Sequence, residues 1–197
     1  MIIGRLARDS FRYLHGIVGY GFHFKPIKGL FLEGFANVDW ASSLDDWRST
    51  VGYYVYLGGN LIQRTWKKQK VVFCLSTKLE YKLLAQDTIE ILWLQSLFHE
   101  LEIKIVGCPI LWCNSIGVGS LAFNLVFHFR TKHIKIDVHF ICEKVLAKEL
   151  DVRYISTEEQ IPDVLTKPLL EARFDQLQNK LTVTLFPFNF RGSDRIS

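Results

Sequence analysis

Apolar runs bounded by glycines and polar loops organise the first half of the chain. Residues 29–41 (GLFLEGFANVDWA) read as a strand, followed by the polar loop SSLDDWRST. A second strand, YYVYL, lies between Gly52 and Gly58. Gly58, Gly59 and Asn60 then predict a hairpin turn into a third strand that begins LIQRTW. The basic cluster Lys67, Lys68, Gln69, Lys70 gives way to VVFCLS, expected to extend or continue that strand. Upstream, residues 8–16 are helix-like until Gly16, Gly19 and Gly21 break the pattern, and Pro26 to Gly29 reads as a turn.

The second half alternates helix and strand. Thr77 is placed to cap a long helix, with Glu80 three residues on completing a capping box. Leu79, Leu83, Leu84, Ile91, Leu94 and Leu97 recur near a 3.6-residue spacing up to about Leu101. PILWC (109–113) reads as a short buried strand, followed by a helical stretch through Ser120. A helix is expected over about 136–148, then a strand at DVRYIS. Thr157 with Gln160 predicts the cap of a last helix, which Pro168 interrupts before LEARFDQLQNKL resumes; the tail after Thr184 reads as irregular. Three adjacent strands followed by helix, strand, helix, strand and helix make one mixed-sheet α/β domain. Sites in such sheets form at strand ends beside a change of strand order.

Composition adds bounds. The 197 residues are 49% apolar and 22% charged, which is globular composition and excludes a mainly disordered chain. A net charge of +4 tilts only mildly toward anionic partners. Cys74, Cys108, Cys113 and Cys142 form no C-x-x-C pair and lack the density of a disulfide scaffold, so reduced thiols in an intracellular protein are expected. Arg5, Arg8 and Arg12 interrupt any apolar run at the start, which argues against secretion. Residues 106–129 hold no Asp, Glu, Lys or Arg, but Pro109, Asn114, Asn124, His128 and three glycines make a membrane span a poor account of them.

Two constellations invite chemistry. Cys108, Cys113, His128 and His133 fall within the loose spacing of a two-Cys, two-His zinc finger. Cys113 belongs to a strand and no aromatic follows it at the finger's usual place, so the finger is rejected. Carboxylates are the sharper lead: Asp39 on the first strand, Glu80 in the first turn of the long helix and Asp163 in the first turn of the last. Converging on one sheet edge, they could bind hard divalent cations, and two such ions could drive phosphodiester cleavage. By spacing alone, an ordinary solvated surface carries such acids as well.

The segments NVDWASSLDDWRST, GYYVYLGGNLI, WKKQKVV, STKLEYKLLAQ, EILWLQSL, PILWCNS, VFHFRTKHIKIDVHF and EEQIPDVLTKPL together resemble the ribonuclease H domain of copia-type retrotransposon Pol polyproteins. The resemblance runs from about Arg8 to Leu181. It implies a ribonuclease H-like α/β fold, a five-stranded mixed sheet flanked by helices. Residues 1–29 would be a remnant of the connection from reverse transcriptase, 30–182 the ribonuclease H-like domain and 183–197 an irregular tail, a C-terminal fragment without its polymerase. The implied reaction is Mg²⁺- or Mn²⁺-dependent hydrolysis of the RNA strand of an RNA–DNA hybrid, with no membrane partner. The implied metal ligands are Asp, Glu, Asp and Asp, which fall at Asn37, Glu80, Asn114 and Asp163.

Two of these four are Asn, which offers a neutral carbonyl where paired cations need negative charge. Asp39 shares the strand face of Asn37 but lies roughly 6–7 Å further along, too far to replace it without rearrangement. Pro162, at the fifth residue of a helix capped by Thr157, is expected to disturb Asp163. Little or no nuclease activity is expected, with a weakened nuclease, a hybrid-binding module and a decayed reading frame as alternatives. Other departures from the family pattern are Phe73-Cys74-Leu75, Trp47, Cys142, Lys78, Lys135, Leu125 and Ser42. Like Asp to Asn, each of these swaps can arise from a C-to-T change on one DNA strand or the other. Arg64, Lys67, Lys68 and Lys70 are candidate phosphate contacts or a solvated hairpin face, and His133 has no assigned role. Trp66, Trp93 and Trp112 are expected in the core or at its rim.

Overall fold

The computed structural model describes residues 19–27, 29–40, 45–72, 75–115, 135–167 and 169–185. Its framework is a five-stranded mixed sheet built from β2 (Leu32–Asp39), β3 (Thr50–Leu57), β4 (Asn60–Lys68), β5 (Ile110–Cys113) and β6 (Asp151–Tyr154). The order is β4-β3-β2-β5-β6. The first three strands are antiparallel neighbours, as hairpin connections allow, and β5 and β6 add in parallel through helical crossovers. This is the five-stranded mixed sheet flanked by helices that the sequence implies.

The crossovers are α1 (Ser76–Glu100), between β4 and β5, and α2 (Lys135–Leu146), between β5 and β6. Leu79, Leu83, Leu84, Ile91 and Leu94 of α1 join Val138 and Ile141 of α2 against Leu32, Ala36, Val55, Leu111 and Val152 of the sheet. The opposite face carries a smaller core of Tyr54, Tyr56, Leu61, Ile161 and Leu181, with Phe35, Val164 and Val183 packed on it. Its cover is α3 (Asp163–Thr166), α4 (Glu171–Lys180) and β7 (Val183–Leu185), which pairs with β1 (Tyr20–Phe22) in a second, two-stranded sheet.

Several local expectations need correction. Helix α1 begins at Ser76 after an extended Leu75 that makes no side-chain cap bond, so Thr77 is not the cap and Glu80 is the fifth helical residue. Leu75, Thr77 and Lys78 are exposed, and water can satisfy the first-turn amides that a cap would otherwise hold. Strand β4 ends at Lys68, short of VVFCLS. Thr157 opens a turn, not a helix, and the final helical region is two pieces on either side of residue 168. The segment from 183, read as irregular, opens with β7. The predicted helices at 8–16 and through Ser120, and Ser42, Phe73, Cys74, Leu125, His128, Phe129 and His133, lie outside the described residues. Among the described residues no helix is long and apolar enough to cross a membrane.

The hairpin turn is as predicted. Gly58 and Gly59 both take positive φ, 55° and 82°, which two-residue hairpin turns require and non-glycine residues resist. A Cβ on Gly58 would also stand 2.8 Å from the Gly29 carbonyl oxygen and 2.5 Å from Ile27, whereas one on Gly59 would meet nothing within 4 Å. Gly59→Ala is expected to cost about 1–2 kcal/mol from the backbone alone, and Gly58→Ala clearly more. Equal unfolding midpoints for the two variants in urea would contradict this account.

One buried acid is left without partners. Asp87 of α1 is 2% exposed, and neither carboxyl oxygen accepts a hydrogen bond. Burial, and then the neighbouring Glu90, pushes its pKa well above the ordinary value. The folded chain therefore keeps a proton that the unfolded chain releases near the ordinary carboxylate pKa. The associated stability is complete below that pKa and is lost as pH rises toward the folded value. Asp87→Asn is expected to remove a fall in stability of up to ~1.4 kcal/mol per pH unit above about pH 4. Urea titrations across pH measure that slope directly; the same slope in both proteins would exclude Asp87 as its source.

Candidate functional site: a buried amide–carboxylate cluster

The parallel pairing of β2 with β5 builds the centre of the site. Ala36 is the register partner of Cys113, so Asn37 within β2 and Asn114 just past β5 stand side by side. Here the central strand has an antiparallel neighbour on one side and a parallel one on the other. Asn37 and Asn114 line a small cleft together with Ala36, Val38, Cys113 and Ser115, and Glu80 and Leu83 of α1 close it.

Asn37 is 1% exposed, yet each of its polar atoms is engaged. Its Nδ2 donates to Asp163 Oδ1 at 2.7 Å and to Thr166 Oγ1 at 2.8 Å. Its Oδ1 accepts from Asn114 Nδ2 at 3.1 Å. Asp163 is 3% exposed, and the same Oδ1 is 2.9 Å from Lys167 Nζ. Thr166 and Lys167 follow Asp163 by three and four residues, the spacing that puts helical side chains on one face. Gln160 is fully buried and anchors the preceding turn to the sheet by donating to the Ala36 carbonyl at 2.7 Å.

Pro162 does not disturb this arrangement. It precedes the first residue of α3 with φ −60°, where no intrahelical partner for an N–H exists and the ring's fixed φ suits helix entry. Asp163 is placed by this turn, not displaced by it, contrary to the damage expected from Pro162.

The site residues fall into three groups. Asn37, Asn114 and Asp163 meet through hydrogen bonds. Glu80 borders the cleft. Asp39 stands at the Asp163 side: burial raises its pKa, the Lys167 ammonium lowers it and Asp163 raises it by lesser amounts. Burial likewise pushes the Cys113 thiol up to about 11, with the Ser115 backbone acting to lower it and Glu80 to raise it. Lys167, Thr166 and Gln160 are contributors that the sequence reading missed, although the helical spacing from Asp163 marks the first two.

This donor set does not fit a pair of divalent cations. Hard cations take oxygen ligands with charge to offset their own. Here two contributors are neutral amides, and the Asp163 oxygen facing them already receives an ammonium and an amide N–H. Among the described residues no three His, Cys, Asp or Glu side chains converge as a metal site. In the rejected zinc constellation, Cys108 is exposed and Cys113 buried.

The candidate nucleic-acid contacts lie on β4 and just past its end, and Arg64 and Trp66 line a surface pocket with Val164 of α3. Arg64, Lys67, Lys68 and Lys70 are exposed. Arg64 sits over the Phe22 ring at 5.6 Å, and Lys68 pairs with Asp46 at 3.1 Å. Trp66 and Trp93 are 58% and 55% exposed, at the surface and not in the core. Trp112 stacks on Phe35 and donates its indole N–H to Glu33 at 3.2 Å.

No protein-family model matches the chain. It is 42% identical over 176 residues to the retrovirus-related Pol polyprotein from transposon RE1 of Arabidopsis thaliana, covering 89% of this chain and 12% of that protein. It is 40% identical over 185 residues to the polyprotein from transposon RE2 of the same plant, covering 94% of this chain and 13% of that protein. A solved structure of LC11-RNase H1, isolated from compost, is similar over 75% of this chain and 91% of its own, at 15% identity and a TM-score of 0.48. The chain thus spans about an eighth of the curated relatives it matches. Over about nine-tenths of its own length the chain is a homologue of copia-type retrovirus-related Pol polyproteins.

Proposed function

We propose that this ribonuclease H-like domain has kept the scaffold of a nuclease for the RNA strand of RNA–DNA hybrids and lost the metal-dependent hydrolysis. The observation that carries the reading is the Asn37 amide donating to Asp163 at 2.7 Å. A carboxylate at position 37, as the family pattern has, would present acceptors there, and with Asp163 would form an anionic pair able to hold a cation. The amide supplies the opposite: a donor that satisfies Asp163 from within the protein. Asn114 repeats the change beside it, leaving Glu80 as the charged group of the cleft.

Glu80, Asp163 and Asp39 are the carboxylates through which a weakened nuclease would have to work. With labelled hybrid and millimolar Mg²⁺ or Mn²⁺, the wild-type chain is expected to release no RNA fragments. The Asn37→Asp, Asn114→Asp double variant is expected to bind the metal by calorimetry. Wild-type cleavage that disappears in Glu80→Ala would overturn the inactive reading.

The exposed β4 face favours a second capacity, hybrid binding without cleavage. Arg64 and Trp66 lie on one face of β4, Lys67 on the other, and Lys70 just past the strand end, all exposed along this sheet edge. Such a surface gives sequence-independent, salt-sensitive phosphate contacts. Replacing Lys67 and Lys70 with Ala is expected to weaken hybrid binding and flatten the slope of log K against log salt by about 1–2. Anisotropy titrations at several salt concentrations read both quantities, and an unchanged slope would remove these lysines from the interface.

A further inference from the structure

We infer that the altered centre is a metal-independent clasp in which Lys167 and the Asn37 amide together take the role of a counter-cation for Asp163. The inference rests on the proposed loss of metal chemistry and goes beyond it, because it assigns the present residues a positive role in holding the fold. Asn37 belongs to β2, Asn114 follows β5, and Asp163, Thr166 and Lys167 belong to α3 and its end. The bonds joining them span 77, 126 and 129 residues of sequence. Helix α3 is four residues long and cannot hold its position by its own ladder. Asn37 fastens it to the central strand through two side-chain bonds, and Gln160 fastens the turn before it through a third.

The charge arrangement points the same way. Asp163 is almost wholly buried, and a buried carboxylate without a partner is strongly destabilising. Its Oδ1 has both acceptor directions filled, by Lys167 at 2.9 Å and Asn37 at 2.7 Å. Asp at position 37 would remove two donors and set a second carboxylate against the first, a pair that must take up a proton or a cation to be tolerated. That variant would need a divalent cation to regain what the amide supplies.

Thermal unfolding of the full chain in EDTA and in millimolar MgCl₂ tests the clasp. The wild-type midpoint is expected to be the same in both. Asn37→Asp is expected to fall by roughly 5–10 °C in EDTA and to recover part of that in Mg²⁺. If Asn37→Asp does not fold, Lys167→Met serves in its place, since the Lys167 side chain is 28% exposed and its replacement leaves the sheet untouched. Lys167→Met is expected to lower the midpoint in both buffers. A wild-type midpoint that rises with Mg²⁺ would overturn the clasp, as would an Asn37→Asp or Lys167→Met midpoint equal to the wild type in EDTA. Hybrid cleavage is read separately on the same preparations. Wild-type cleavage defeats the loss of hydrolysis, whereas the wrong midpoints in a chain that does not cleave defeat the clasp alone.

Discussion

Burying an amide in the central strand of a sheet obliges each of its polar atoms to find a partner, and much of the architecture around Asn37 follows from that obligation. An unpaired amide in that position would cost about 1–3 kcal/mol per lost group. Three partners come from segments far apart in sequence: Asn114 beyond β5, and Asp163 and Thr166 in α3. Satisfying Asn37 therefore fixes where β5 ends and how α3 lies on the sheet. The short helix is held by polar bonds from its first and last residues, Asp163 and Thr166, and by Ile161 and Val164 packed into the small core.

The sheet makes this convergence possible before any side chain is considered. Placing β5 in parallel beside β2 requires the long crossover α1, and that crossover brings Glu80 over the same strand ends. Gly34 lets Ile91 of α1 and Leu111 of β5 approach closely, since a Cβ there would stand 2.8 Å from a methyl of each. The large apolar core thus sets the height of α1 above the sheet, and the height of α1 sets the position of Glu80. From the other face, Gln160 reaches the Ala36 carbonyl beside Asn37. A single strand is clamped from both sides within two residues.

Much of this was legible in the sequence, and the failures have specific causes. The leucine spacing of α1 gave its existence and C-terminal end because a long amphipathic helix repeats its signal over seven turns. Its N-terminus was misread because a capping pattern is a local motif, and an exposed first turn can be hydrated without it. Pro162 was misjudged for a related reason: whether a proline breaks or starts a helix depends on a boundary that the turn-forming residues before it decide. The pairing of β1 with β7 joins segments more than 160 residues apart and three residues long, too short for periodicity to register. At the site, the resemblance pointed to Asn37, Asn114, Glu80 and Asp163 but said nothing of the Thr166 and Lys167 side chains that bond to two of them. Lys167 became visible only through the helical turn that brings it back onto Asp163.

The amides at positions 37 and 114 differ from the carboxylates that the family resemblance implies there far more in charge than in shape. Asp and Asn have the same branching, so the strand ends can pack as before while the local demand for cations falls. What remains is uneven: Asp163 is neutralised by Lys167, Asp39 is partly exposed within reach of the same ammonium, and Glu80 borders the cleft on its own side. A site that depends on divalent ions carries surplus negative charge, and the fold must tolerate repulsion whenever the ions leave. A site closed by amides and one lysine carries no such burden. On the proposed reading, the two amides that would end metal-dependent hydrolysis also relieve the scaffold of a destabilising term, so an intact sheet and an altered centre can coexist in one chain.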